Sequence, residues 1–283
     1  MTQQEAGAYL AKPETVITAV PDFRHYWRDS WRFRELLLLL VWRDVLVRYK
    51  QTVFGVAWAV LRPLVTMVVF TLLFGRLAHL PSHGVPYPLL VFAGILPWQF
   101  FATTLVDAGN SLLGNANMIS KVYFPRIIIP LSVVLGGVVD FAIAGAIYAV
   151  MALWYGHAPG WQIIYLPGFV VLLCLWVLAC SLWISALNVA YRDFRYLVPF
   201  AVQLATYVSP VGFSTSVVPE RWHLAYALNP MVGIIDGFRW SLLGASSPIA
   251  WDSVALSVGV TLALLIPGSR FFRRLERSFA DVI

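Results

Sequence analysis

Three ionisable residues lie inside long apolar runs of the sequence: Arg62, Asp107 and Asp140. Charges at membrane depth are costly, and where they occur they mark ion or substrate paths or pair with other polar groups. The two aspartates are candidates for a proton relay in a secondary transporter, or for pairing across helices with Arg62 or with a hydroxyl group. Arg62 is a candidate for binding an anionic lipid head group, or for a structural residue whose charge reaches back to the interface.

The other reactive side chains form no catalytic or metal-binding pattern. The five histidines are scattered over loops and helix ends. Cys174 and Cys180 are six positions apart in one apolar run, which places them on different faces of a helix and predicts neither a disulfide nor a metal site. We therefore expect no catalytic, metal-ligating or cofactor-binding residue, and we do not expect an enzyme.

The lysines exclude one energy source within this chain. A nucleotide-binding loop ends in Gly-Lys-Ser/Thr, whereas Lys12, Lys50 and Lys121 follow alanine, tyrosine and serine. If ATP drives this protein, a separate subunit must bind the ATP and its Mg²⁺.

The elements that must position these residues are membrane helices. The chain is 60% hydrophobic and only 12% charged, with a mean hydropathy of +0.76, against about 45–50% apolar and about 25% charged residues in soluble domains. A spanning helix needs about 20 mostly apolar residues. The sequence therefore predicts an all-α integral membrane protein with six transmembrane helices, over 53–75, 87–112, 127–155, 164–190, 197–218 and 251–269.

Residues 1–52 are predicted to form a separate part, a cytosolic tail followed by an amphipathic interfacial helix. Residues 1–22 are polar and lack a cleavable signal. At 100° per residue, the segment 31–50 has an apolar stripe and two polar patches. The stripe is Leu38, Trp42, Val45 and Tyr49, and the patches are Arg32, Glu35, Arg43 and Lys50, and Arg34, Asp44 and Arg48. An extension of the first spanning helix into the cytosol is the alternative.

The outer segment between spans five and six is predicted to hold two short apolar helices. Pro219 suits a first helical turn, Asn229-Pro230 breaks the helix, and Gly244 suits a C-terminal cap. Each helix is too short to span. A re-entrant or interfacial hairpin satisfies the backbone at membrane depth, and an ordered extracellular loop is the alternative.

The distribution of lysine and arginine predicts the orientation. Sixteen of these residues lie in 1–52, 113–126, 191–196 and 270–283, whereas Arg76, Arg221 and Arg239 lie on the other side. Both termini are therefore expected in the cytosol. The net charge of +6 comes from residues beside apolar runs, which points to membrane lipids and not to nucleic acid.

Two cytosolic loops, 115–126 and 191–196, combine aromatic and charged residues. The first is predicted to contain a short helix capped by Asn115 or Asn117 and ended before Pro125. Both loops suit docking to a partner protein, and both equally suit anchoring at lipid head groups.

Aromatic residues make up 15% of the chain. Many belong to interface belts or the core, but an aromatic path would also let the C–H faces of sugar rings slide along it. The candidates for such a path are Trp58, Phe70, Tyr207 and Phe213.

Five stretches occur in an order that resembles one transporter family. They are 48–64 (RYKQTVFGVAWAVLRPL), 92–101 (FAGILPWQFF), 115–132 (NANMISKVYFPRIIIPLS), 191–200 (YRDFRYLVPF), and 209–244 with its VVPERW and LNPM elements. The chain resembles the permease subunit of a type 2 ABC exporter, in the branch that exports lipid-linked polysaccharides such as lipopolysaccharide O-antigen.

The resemblance implies a homodimer in the bacterial cytoplasmic (inner) membrane, paired with two ABC ATPase subunits that bind ATP and Mg²⁺. Residues 53–283 would form its six-span transmembrane domain with a short cytosolic tail. The implied ATPase contacts are Asn117, Lys121, Tyr123, Arg126, Arg192 and Asp193. The implied outer gate includes Trp222, Tyr226, Asn229 and Pro230.

The implied cargo is a polyprenyl-diphosphate-linked glycan, and Arg43, Arg48 and Arg62 are candidates to bind its head group, because arginine matches phosphate geometry. Arg62 departs from the family pattern, in which a neutral amide is common at this place in L-x-P-L. Teichoic acid or a capsular polysaccharide is the rival cargo. The alternative from another class is a proton-coupled secondary transporter, for which paired discontinuous helices would be needed.

Overall fold

The computed structural model describes residues 31–50, 55–82, 84–276 and 279. This described part is built from helices, with no β-strand in it. A π-helical stretch, Thr71–Leu77, continues the second helix, and short 3₁₀ turns occupy Trp161–Tyr165, Thr215–Val217 and Gly244–Ser246. The α-helices are α1 (Arg34–Lys50), α2 (Gly55–Phe70), α3 (Tyr87–Gly114), α4 (Ala116–Lys121), α5 (Ile128–Trp154), α6 (Leu166–Ala190), α7 (Phe194–Val208), α8 (Glu220–Ala227), α9 (Pro230–Leu243) and α10 (Trp251–Glu276).

Prolines and glycines set several helix boundaries. α3, α6 and α9 each carry a proline in the first turn, namely Pro88, Pro167 and Pro230, where the ring fits and no hydrogen bond is lost. Gly156, just after α5, and Gly244, just after α9, have positive φ angles of 66° and 67°. Glycine adopts a positive φ angle at little steric cost because it lacks a Cβ, and helices commonly end at such a residue.

Five helical segments in the described residues are long and apolar enough to cross a membrane: Ala57–Leu77, Tyr87–Gly114, Ile128–Trp154, Trp161–Ala190 and Trp251–Glu276. They match five of the six predicted spans, with boundaries shifted by a few residues. The last helix runs furthest beyond its prediction, to Glu276.

The remaining predicted span, 197–218, is only partly helical. α7 has 15 residues, about 22 Å at 1.5 Å per residue, which is less than the roughly 30 Å of a hydrocarbon core. The chain then leaves the helix at Ser209 and forms a bend before α8. We call residues 209–217 the outer bend. Whether α7 and the outer bend together cross the membrane stays a prediction.

α3 is the central helix and contacts α2, α5, α6, α7 and α9. Small residues let the neighbours approach closely: a Cβ at Gly137 of α5 would lie 2.5 Å from the Thr104 hydroxyl, and one at Gly109 would lie 2.9 Å from Ile184. Asn188 of α6 also donates to the Gly109 carbonyl oxygen at 2.8 Å. Close approach over small residues, joined by polar side chains, is how membrane helices associate.

α1 packs along α5 and α2. Its inward face repeats every three to four residues, and Leu40 is its most buried member. The predicted apolar stripe divides between two faces, because Leu38 and Trp42 are exposed whereas Val45 and Tyr49 are half-buried. The exposed residues of α1 mix apolar side chains with charged ones: Leu38, Leu39, Trp42, Leu46 and Val47 with Arg34, Glu35, Arg43 and Lys50. The placement of α1 at a membrane interface stays a prediction.

Two short helices, α8 and α9, lie where the sequence predicted them, and their placement at the outer side of the membrane stays a prediction. Asn229 caps α9, because its side-chain oxygen accepts a hydrogen bond from the Met231 backbone N–H at 3.1 Å. Gly244 ends α9, and Pro219 stands immediately before α8 and not inside its first turn. α8 is mostly exposed, whereas α9 is buried along nearly its whole length.

Candidate transport and coupling sites

An ion cluster joins α1 to two spanning helices. The Arg48 guanidinium donates to the Asp107 carboxylate with Nη2–Oδ2 at 2.9 Å, and through Nη1 it also bonds the Asp140 carboxylate. The Tyr49 hydroxyl donates to the other oxygen of Asp140. The predicted pairing of Asp140 with a hydroxyl is therefore confirmed, but the cation that pairs with both aspartates is Arg48, where the sequence had suggested Arg62.

The pKa values of Arg48 and Tyr49 favour this cluster. Burial lowers the pKa of the Arg48 guanidinium, but Asp140 and Asp107 outweigh it, so that the pKa rises above its ordinary value. Burial and the hydrogen bond to Asp140 likewise raise the pKa of the Tyr49 hydroxyl. Tyr49 therefore remains a donor, and Arg48 remains charged.

The three predicted head-group arginines differ in how their charges are used. Arg43 pairs with its neighbour Asp44 at 2.7 Å, and Arg48 holds two carboxylates. Arg62 is exposed on α2 and interacts electrostatically with Asp107. Among the described residues its guanidinium makes no hydrogen bond and no ion pair, which leaves it the most available of the three to an anion.

The predicted helix in the first cytosolic loop is confirmed as α4, and Asn115 occupies its N-cap position. The Asn115 side chain does not cap the helix, because it donates back to the Ser111 carbonyl at 2.8 Å. Ile119 and Phe124 are buried and anchor the loop. Three of the predicted ATPase contacts are exposed around this anchor: Asn117, Lys121 and Tyr123.

Arg126, also predicted as an ATPase contact, is engaged inside the chain. Its backbone N–H donates to the Glu276 carboxylate at 2.7 Å, and its guanidinium donates to the Glu276 backbone carbonyl. The guanidinium also lies 6.0 Å from the centre of the Phe279 ring. Arg126 thus fastens the loop to the end of α10.

The second predicted ATPase loop exposes Arg192 and Asp193. A surface depression of about 470 Å³ lies beside it. Its lining combines one carboxylate with apolar and aromatic side chains: Asp193, Phe194, Tyr196, Leu197 and Phe200.

Two of the four candidate path aromatics come together. Phe70 and Phe213 both contact Phe74, with ring centres 5.6 Å and 6.0 Å apart and edge-to-face geometry. Phe74 was not predicted. Trp58 and Tyr207 lie apart from this cluster, on the exposed faces of α2 and α7.

The gate candidates differ in environment. Trp222 is exposed on α8 and Tyr226 is half-buried, whereas Pro230 is buried at the start of α9. Asn229 donates through its side-chain amide to the Ser209 hydroxyl at 3.0 Å. It therefore connects α9 to the outer bend.

Sequence reasoning missed Arg239, which had been counted among the outer cations. Only 1% of this residue is exposed. Its guanidinium donates to the carbonyl oxygens of Phe213 at 2.7 Å, Val211 at 2.9 Å and Leu90 at 3.3 Å. One signal was available: Arg239 follows Asp236 by three residues in an otherwise apolar run, a spacing that puts both charges on one helix face.

The profile of the ABC-2 type transporter family matches residues 35–243, which run from α1 to the end of α9 and make up about three quarters of the chain. The chain belongs to this family. An ABC-2 transporter works with an ABC ATPase, so this chain is a multi-pass membrane component whose partners are such an ATPase and membrane lipids.

Curated relatives of this ABC-2 chain match either most of it or about two thirds of it. An O-antigen export system permease protein, RfbA, from Myxococcus xanthus is 29% identical over 259 residues, covering 90% of this chain and 98% of the relative. The RfbA of Klebsiella pneumoniae is 26% identical over 88% of this chain and 95% of its own length. An inner membrane transport permease, YadH, from Escherichia coli strain K12 is 22% identical over 64% of this chain.

Proposed function

We propose that this chain is the transmembrane subunit of an ATP-driven exporter that moves a lipid-linked, O-antigen-like polysaccharide from the cytosol across the bacterial inner membrane. The observation that carries this proposal is the likeness to RfbA permeases along about nine tenths of the chain. The more distant likeness to YadH covers only 64% of the chain. The cargo is thus proposed from the relatives that share the whole architecture.

In this proposal two copies form the path between them, six spans each, with both termini in the cytosol. α2 and α7 leave broad apolar and aromatic faces exposed, including Trp58, Leu61, Leu204 and Tyr207. Exposed apolar patches of this extent suit a partner subunit or lipid. A dimer axis along these faces would place Trp58 and Tyr207 at the path, where sugar rings can pack on aromatic faces.

ATP binding by two ATPase subunits would drive the cycle through the cytosolic loops. The exposed side chains of α4 and of the 191–196 loop are available for docking, whereas Arg126 is engaged by Glu276. In this proposal Arg126 does not contact the ATPase directly. It passes movement of the loop to α10.

The diphosphate of the cargo would first meet Arg62. Its guanidinium is exposed on α2 at the predicted cytosolic side, and arginine binds phosphate through two parallel N–H donors. Arg43 and Arg48 would contribute to the positive field, with part of their charge offset by the neighbouring aspartates.

The proposal is tested by purifying the chain with its partner ATPase and measuring ATP-dependent movement of a polyprenyl-diphosphate-linked glycan in proteoliposomes. An ATPase-inactive partner is expected to abolish movement. Glycan export that persists with the inactive partner, or flux that follows a proton gradient, would contradict it and favour the secondary transporter. Movement of teichoic acid in place of the glycan would retain the transporter and correct the cargo.

A further inference from the structure

The outer bend is non-helical from Ser209 to Ser214, and the carbonyl groups of this backbone need donors. Backbone at membrane depth that leaves the helix must be satisfied by protein or by water. Three consecutive carbonyls, those of Val211, Gly212 and Phe213, each accept a hydrogen bond from a side chain. Two of these bonds come from Arg239, and the Tyr87 hydroxyl supplies the third at 2.9 Å.

Other side chains tie both ends of the outer bend to α9. At its beginning, Asn229 donates to the Ser209 hydroxyl at 3.0 Å. At its far end, the Thr215 hydroxyl donates to the Asp236 carboxylate at 2.9 Å. Asp236 and Arg239 are fully buried on α9. The outer bend is therefore bonded to α9 or its cap at four residues between Ser209 and Thr215.

The other side of the outer bend contacts the aromatic cluster on α2. A Cβ at Gly212 would lie 2.6 Å from the Phe74 ring and 3.0 Å from Phe70, and Phe213 packs edge-to-face on Phe74. No larger residue fits between the bend and these rings without a shift. The bend is thus enclosed between the candidate path and α9.

The Arg239 guanidinium is also tightly packed against α3. A Cβ at Gly94 of α3 would lie 2.7 Å from Nη2 of Arg239 and 2.6 Å from the Val211 carbonyl oxygen. The planar guanidinium donates in fixed directions, and here these directions reach two carbonyls of the bend and one of α3. A lysine ammonium is a single point charge and cannot reproduce this fork.

Resting on the proposed export function, we infer that Arg239 is a positioning residue for transport: it holds the outer bend against α9 and so fixes where the path between α2 and the bend is closed. When α9 moves during the ATP cycle, Arg239 carries the bend and Phe213 with it. Three of the five N–H donors of the Arg239 guanidinium are used by the backbone.

The test measures exposure of the bend directly. The background is a chain in which Cys174 and Cys180 are replaced by alanine. Val211→Cys then places a single thiol in the bend. A membrane-impermeant maleimide is added from the outside to the complete complex with the ATPase. Val211 is 1% exposed, so labelling is expected to be slow. Adding Arg239→Lys is expected to speed it at least about tenfold, because local opening controls access to a buried thiol.

Two controls define the background. Leu224→Cys, on the exposed face of α8, is expected to label rapidly with or without Arg239→Lys, which confirms access from that side. Arg221→Lys changes an exposed arginine of α8 in the same way, and it is expected to leave the labelling of Val211→Cys within about twofold, as surface changes do.

A milder variant covers the case in which Arg239→Lys fails to assemble. Tyr87→Phe removes only the hydroxyl that donates to Gly212, and it is expected to speed labelling by about two- to fivefold, with Tyr165→Phe, whose ring is half exposed, as its matched control. Both Arg239→Lys and Tyr87→Phe are also expected to reduce glycan movement while ATP hydrolysis continues. Labelling at the wild-type rate in the assembled variants would overturn the inference.

Glycan movement and labelling rate test the proposed cargo and the role of Arg239 separately. If the wild-type complex moves no lipid-linked glycan, the proposed function fails, yet the labelling rates still report whether Arg239 holds the bend. A nonhydrolysable ATP analogue is expected to speed labelling of Val211→Cys in the wild-type complex, and no change with the analogue would contradict the movement of the bend.

Discussion

Arg48 bonds two carboxylates at once, and this limits what else its charge can do. The side chains of Arg48, Asp107 and Asp140 are 37%, 48% and 30% exposed, so the cluster is only partly desolvated. One cation against two carboxylates leaves the cluster formally short of positive charge, which Arg62 supplies from α2. The cluster therefore joins α1 to α3 and α5.

Replacement of Arg48 is expected to loosen α1. Arg48→Gln leaves Asp107 and Asp140 without their cation, and we expect about 1–2 kcal/mol of lost stability, less than the 3–5 kcal/mol of a fully buried pair because solvent screens this one. Thermal unfolding of the purified chain measures the loss. Adding Asp107→Asn and Asp140→Asn should recover part of it.

The control for this experiment is Arg43→Gln. Arg43 pairs with adjacent Asp44 on the exposed face of the same helix, and its loss should change stability by no more than about 0.5 kcal/mol. If both arginine variants have the same effect, the cluster has no special role in fastening α1.

At the residue level, the sequence predicted helix ends, which depend on neighbouring residues, but not the long-range partners of charged side chains. Gly244 was predicted as a helix end because a left-handed position selects glycine, and Asn229-Pro230 was predicted as a break because proline ends or begins a helix. The partners of Asp140 and Arg239 depend on which helices meet and in which register. Nothing within a few residues of Arg48 indicates that it pairs with residues 59 and 92 positions away.

α9 is an element whose packing depends on two glycines. A Cβ at Gly233 would lie 2.4 Å from the Ser257 hydroxyl of α10, and one at Gly237 would lie 2.1 Å from the Phe169 ring of α6. Their spacing of four residues puts both on one face of the helix, a pattern common where membrane helices approach closely. The buried position of α9, and hence of Arg239, follows from this close contact.

Gly237→Ala is expected to displace α9. The added methyl group overlaps Phe169, and overpacking of this kind typically costs about 1–3 kcal/mol. Thermal unfolding and assembly with the ATPase measure the effect. Gly136→Ala on α5 is the matched control, since a Cβ there meets no atom within 4 Å, and it should be neutral or slightly stabilising. Equal effects of the two variants would refute close packing at Gly237.

In the first loop predicted to be cytosolic, we assign docking and transmission to different residues. Tyr123 is 75% exposed, whereas Arg126 bonds Glu276. We expect Tyr123→Ala to reduce ATPase affinity by about tenfold, the effect of losing an aromatic contact in an interface, with little change in the stability of the isolated chain.

Arg126→Ala should show the reverse pattern. It is expected to lower thermal stability, because the guanidinium loses its bond to the Glu276 backbone carbonyl and its contact with Phe279, while ATPase affinity stays within about threefold. Copurification and unfolding of both variants measure the two properties separately. A large loss of affinity with Arg126→Ala and none with Tyr123→Ala would return Arg126 to the docking surface.

At the scale of the whole molecule, hydropathy predicted the all-helical class and five of its long helices, because each needs only a local run of apolar residues. It could not show that α7 ends at Val208. The outer bend holds Val211, Phe213 and Val217 among small and hydroxyl residues, and the break there is stabilised by donors from α3 and α9 that lie far away in sequence.

The single chain leaves two aromatic helix faces without a partner, and a dimer would bring them together. Cysteines at Trp58 of α2 and Tyr207 of α7, introduced one at a time without Cys174 and Cys180, are therefore expected to cross-link two copies in native membranes. Val150 of α5 is 66% exposed and lies outside the two helices of the proposed contact, so Val150→Cys should remain monomeric on gels. Cross-linking through Val150 with none through Tyr207 or Trp58 would place the dimer contact on α5, and the path would then have to run elsewhere than between α2 and α7.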